Sequence, residues 1–139
     1  MPLMQERFQL GHSVRFSPRG TSMLPMLRQG IDSVELSPLP ETLQKYDLPL
    51  YRREDGKFIL HRIIGAGTTY TCMGDNQFTP EPGLRRDQMI ALVTAFYRGE
   101  KRYSVSHPIY RLYCRFWYHS RHLRHFWRRG IGWLRRHMT

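Results

Sequence analysis

The chain has 139 residues, enough for one hydrophobic core but short for two, so one domain with an appendage is expected. Its net charge of +11 is uneven: residues 98–139 hold eleven Arg and Lys against Glu100 alone, whereas residues 1–97 hold eleven basic and ten acidic side chains. This divides a nearly neutral domain, residues 1–105, from a basic tail, residues 106–139. No run approaches the ~18 apolar residues of a spanning helix, and Glu6 and Arg7 interrupt the place where a signal peptide would be apolar. Cys72 and Cys114 are far apart and lack metal-ligand spacing, so neither a disulfide framework nor a zinc site is indicated, and no metal or cofactor is expected. A reducing, cytoplasmic setting fits, with the tail as the candidate contact to the inner face of the membrane.

Residues 1–11 carry no strong signal and are expected to be partly mobile. From His12 to Phe16, Val14 and Phe16 share a face at period two, which predicts a short strand running into a turn at Gly20. In the stretch from Gly20 to Leu27, Thr21 and Ser22 lie between a glycine that permits unusual φ and Pro25, which interrupts regular structure; a turn displaying the Ser22 hydroxyl follows. Ordinary loops share this composition, and a serine needs an adjacent base to react. Met23, Leu24, Met26 and Leu27 read as core or as the rim of a groove.

Further strands are predicted over residues 33–36, 47–52, 58–64, 68–73, 88–98 and 101–105. Pro49 argues for an edge or a bulge, Asp55-Gly56 for a hairpin, and Gly65-Ala66-Gly67 for a second one. Gly74-Asp75-Asn76 ends a strand in a turn, residues 80–83 read as loop, and residues 88–98 close the sheet. Short strands with turn signals every 8 to 12 residues or so predict a mainly β fold.

Beyond His107, Ile109, Leu112, Tyr113, Phe116, Leu123, Phe126, Trp127, Ile131 and Leu134 recur at steps of three and four, with a gap at Ser120 and arginines between. This predicts an amphipathic helix of about twenty residues, interrupted at Gly130 and Gly132. It reads as a helix packed on the domain by its aromatic side, as an interfacial helix on an anionic membrane over residues 107–136, or as a surface for nucleic acid or an acidic peptide. Aromatics opposite dense arginine favour the membrane, with nucleic acid behind it.

His61 is the one histidine inside the predicted sheet, 39 residues after Ser22. On an apolar strand it reads either as a hydrogen-bonded core residue or as a base. Asp75 and Glu81 are the carboxylates that could orient it; each could equally be a turn or surface acid.

Gly20-Thr21-Ser22-Met23-Leu24-Pro25 resembles the nucleophile motif of type I signal peptidases and of the broader group that includes LexA-type self-cleaving proteins. His61-Arg62-Ile63-Ile64 is similar to the general-base segment, which carries lysine in bacterial signal peptidases and histidine in the archaeal and endoplasmic-reticulum branch. Gly74-Asp75-Asn76 matches the box that follows in both. The three boxes keep their order and cover roughly residues 12–98. The resemblance implies a small signal peptidase/LexA-like β-fold, Ser22 as nucleophile, His61 as base, and a third member at Asp75 or, six residues further on, at Glu81.

It also implies an oxyanion hole built on the Ser22 N–H, with Thr21 or another main-chain donor where bacterial enzymes often have a hydroxyl and this chain has Gly20. Met23, Leu24, Pro25 and Met26 would line the substrate cleft. Tyr46-Asp47 departs from the family's Gly-Asp. The expected activity is a serine endopeptidase that matures a dedicated precursor or leader peptide, since the family's N-terminal anchor has no counterpart in this sequence. Its activity should fall as imidazole protonates, through roughly pH 6 to 7. The rival expectation is a catalytically inactive binding module of the same fold whose tail engages a membrane, an acidic peptide or nucleic acid.

Overall fold

In the computed structural model, residues 2–18, 20, 22–24 and 26–128 are described. Thr21 and Pro25, and the tail beyond Arg128 with Gly130, Ile131, Gly132 and Leu134, lie outside the described residues. The described chain is mainly β, with nine strands and a helix before and after them.

The strands are β1 Val14–Phe16, β2 Ser33–Ser37, β3 Pro49–Arg52, β4 Phe58–Leu60, β5 Arg62–Ala66, β6 Tyr70–Met73, β7 Glu81–Leu84, β8 Met89–Arg98 and β9 Lys101–Ser104. An antiparallel sheet runs in the order β1-β2-β8-β3-β4, with β9 also on β8; a second sheet runs β5-β6-β7. Thus β8, expected to close the sheet, is its centre. Of residues 80–83, expected to be loop, 81–83 form β7 with Leu84, because Glu81 and Leu84 pair with Cys72 and Tyr70. Pro49 opens β3, where its missing N–H does least harm, and a register shift follows at Leu50/Tyr51; β3 is an interior strand rather than an edge.

The expected single strand over residues 58–64 is broken at His61. The chain leaves the larger sheet at Leu60 and enters the smaller one at Arg62, so His61 sits at the crossing. Side chains divide accordingly between two apolar clusters. Leu50 and Leu60 pack with Val34, Leu36, Val93 and Phe96 in one; Tyr51 and Ile63 pack with Leu43, Cys72 and Leu84 in the other. Alternation along β3 sends Leu50 and Tyr51 to opposite faces, as the period of two requires.

Two corrections concern the ends. Residues expected to be mobile form α1, Pro2–Gln9, because Met4 buries itself in the larger cluster. The tail helix, α2, spans Pro108–His119 and turns at Ser120, after which residues 121–128 are helical again. The helix is therefore shorter than its apolar spacing predicted, and the break falls at the gap in that spacing. Pro108 starts α2, and the His107 side chain caps it by accepting from the Ile109 N–H. Tyr110 and Cys114 join the larger core cluster, so α2 is packed on the domain. No helix among the described residues is long and apolar enough to cross a membrane.

Candidate active site

Ser22 lies in a run of turns between β1 and β2, introduced by Gly20 at φ +87, a left-handed conformation that glycine adopts without strain. The Gly74-Asp75-Asn76 turn after β6 holds this segment from below. A Cβ added at Gly74 would stand 2.5 Å from the Ser22 carbonyl oxygen and 3.1 Å from its Cβ, so only glycine permits the approach. The Asn76 N–H donates to the same Ser22 oxygen at 2.7 Å.

His61 meets Ser22 from the sheet crossing. Its Nε2 is 3.2 Å from Ser22 Oγ, and its Nδ1 is 3.4 Å from the Tyr51 hydroxyl. Tyr51 donates to Glu81 Oε1 at 2.7 Å, and Arg53 also donates to the Glu81 carboxylate, its Nε at 3.0 Å from Oε2. Burial acts to raise the Glu81 pKa, but the hydrogen bonds from Arg53 and Tyr51 together hold it below the usual value. The phenol has one proton and spends it on Glu81. Toward His61 it can only accept, which places the imidazole proton on Nδ1 and leaves the Nε2 lone pair facing Ser22.

Both candidate carboxylates are therefore accounted for. Glu81 reaches His61 through Tyr51, while Asp75 makes no bond to the ring. Asp75 is instead the partner of Arg62: Arg62 Nε and Nη2 donate to its two oxygens at 2.9 Å each, and both side chains are 3 % exposed. Burial works against the Arg62 charge, and Asp75, with Tyr110 and Cys114 beside it, more than offsets it, so the guanidinium stays charged. Tyr113 donates to Asp75 Oδ2 at 2.8 Å, and Trp117 Nε1–H to the Asp75 carbonyl at 2.6 Å. Helix α2 thus grips the turn that holds Ser22 through Tyr113 and Trp117.

Burial, with the positive charge of Arg53, lowers the His61 pKa from 6.5 to about 4. His61 consequently stays neutral through pH 6 to 7, where an ordinary imidazole protonates, and takes up its proton only near about 4. Cys72, pushed up to about 12 chiefly by burial, stays a thiol, as does Cys114, whose pKa burial also raises.

A cleft of about 250 Å³ opens beside Ser22 and His61, lined by Phe16, Met23, Leu27, Leu50, Phe58 and Leu60 among others. It lies between β1 and β4, the two ends of the larger sheet, which curls to bring them together. His61 also borders a second depression of about 450 Å³, lined by Arg53, Phe78 and Glu81. Of the residues expected to line the cleft, Met23 does so. Met26 does not: it is buried, with Sδ 3.0 Å from Arg62 Nη2. Leu24 is half-buried outside the cleft. Among the described residues, Ser17 is the other hydroxyl side chain on the cleft wall.

Sequence reasoning missed Tyr51, Arg53 and Arg62 as parts of this arrangement. Arg62 carried a usable signal, since a charge between Leu60 and Ile63 on a buried strand requires a partner. The chain matches no protein-family model, and no curated protein or solved structure shows significant similarity to it.

Proposed function

We propose that the chain is a serine endopeptidase of the signal peptidase and LexA type, acting from the cytoplasmic side on a dedicated precursor or leader peptide. The observation that carries the reading is the 3.2 Å approach of His61 Nε2 to Ser22 Oγ, with the lone pair on that nitrogen. Ser22 attacks the scissile carbonyl as His61 takes its proton; the imidazolium keeps its Nδ1–H on Tyr51 and is stabilised by Glu81 behind it. His61 then returns the proton to the leaving amine, and water repeats the cycle on the acyl-enzyme. The Ser22 N–H and the Ser17 hydroxyl serve the developing oxyanion, in the role Gly20 cannot fill. The peptide extends between the edges of β1 and β4, with a small apolar side chain in the cleft before the cut.

The resemblance of the three boxes, and the meeting of Ser22 and His61 at one cleft with the Gly74-Asp75-Asn76 turn packed against the Ser22 backbone, support this reading over an inactive module, which has no need of an aligned base. The test is digestion of a diverse synthetic peptide mixture, read by mass spectrometry. The native chain should generate a consistent cleavage pattern with small apolar residues before the cut, and Ser22→Ala should not. Cleavage that persists in Ser22→Ala would contradict it.

A further inference from the structure

Helix α2 buries one face and leaves another without a partner. At about 100° per residue, Tyr110, Tyr113, Cys114 and Trp117 form the face against the domain, and Ile109, Leu112 and Phe116 form a row beside it. On the far side of that row stand Arg111 and Arg115. Ile109, Leu112 and Phe116, with Leu123, Phe126 and Trp127 of the following helical segment, are between 67 % and 73 % exposed. Six large apolar side chains in two short helical segments exceed the scattered exposure normal for a protein surface.

The apolar surface continues inward. A cavity of about 310 Å³ opens beside Ile109 among Phe96, Tyr103 and Tyr110, with the exposed Arg98 and His107 in its lining. Among the described residues Arg98, Lys101, Arg111 and Arg115 have no carboxylate partner, and the sequence beyond Arg128 adds Arg129, Arg135 and Arg136 with no acidic side chain.

We propose that this face docks the protein on an anionic lipid surface, with the row from Ile109 to Trp127 at the boundary between headgroups and acyl chains and the arginines on lipid phosphates. Charge complementarity selects the anionic surface, and the aliphatic members select a bilayer. Ile109, Leu112 and Leu123 offer nothing to a nucleic-acid backbone or to an acidic peptide, and either partner would leave them in water. The proposal does not depend on the chemistry at Ser22.

The experiment is flotation of the full chain with phosphatidylcholine vesicles with and without phosphatidylglycerol, alongside a gel shift with duplex DNA and single-stranded RNA. The chain should float with the anionic vesicles and not with phosphatidylcholine alone. The exposed double variant Leu112→Glu/Phe116→Glu, checked for native circular dichroism, should reduce the bound fraction at least about tenfold. Arg111→Glu/Arg115→Glu should weaken it as well. Failure to float, flotation unchanged by the Leu112/Phe116 variant, or tight nucleic-acid binding without vesicle binding would overturn the proposal.

Discussion

The proton of the Tyr51 hydroxyl decides which nitrogen of His61 faces Ser22. Given to Glu81, it obliges Nδ1 to donate and Nε2 to accept, so Tyr51 orients the His61 ring although its hydroxyl makes no bond to Ser22. Only neutral His61 can take the Ser22 proton, and its pKa of about 4 keeps it neutral well into the acid range. The pH profile of kcat/KM should therefore stay level from neutrality downward and fall near about 4; a fall centred at 6 to 7 would show an ordinary, solvated imidazole. Stability carries the same sign. The folded pKa lies below the unfolded 6.5, so the contribution of buried neutral His61 is complete above about 6.5 and is lost as the pH falls toward 4. Ser22 and His61 could be singled out in the sequence because their boxes stand in a familiar order. Tyr51 could not: it reads as one more strand aromatic, and its partner Glu81 lies thirty residues away.

Among the elements, the turn after β6 does more than end a strand. Gly74 admits the Ser22 backbone, Asn76 binds it, and Asp75 ties both to Arg62 and to α2. Asp75→Ala would leave the Arg62 guanidinium buried without its partner, at a cost of about 3 to 5 kcal/mol measured by chemical denaturation. A change within a few tenths of a kcal/mol would show that the pair is not buried as described. Tyr46 illustrates what a departure from the pattern of a merely similar family can conceal. It stands at φ 77, where glycine would be unstrained, while its ring packs edge-on against Tyr118 of α2 at 5.9 Å. The side chain thus contributes to docking the helix while its backbone is strained. Strand positions were largely legible from period-two patterning and turn residues. The break at His61 was not, because an apolar run looks the same whether it stays in one sheet or passes between two. Strand β7 was hidden by Pro82 and Gly83, and only its pairing with β6 reveals it.

At the scale of the whole molecule, the curled sheet brings β1 and β4 to the two sides of one cleft, and the crossing places His61 between them. The division into a domain and a tail, which the charge distribution suggested, describes composition better than architecture: α2 shares the core and braces the turn that holds Ser22 through Tyr113 and Trp117. Its other face is free to meet a surface without disturbing that brace. Long-range features of this kind escape the sequence because periodicity assigns residues to faces of a helix but not to the partners those faces meet. The central claim, that His61 activates Ser22 as a nucleophile, is tested most directly by treating the chain with a serine-directed fluorophosphonate and reading the intact mass. One adduct should form, map to Ser22, vanish in Ser22→Ala and form at least about a hundredfold more slowly in His61→Ala. No adduct, an adduct that survives Ser22→Ala, or an unchanged rate in His61→Ala would contradict it.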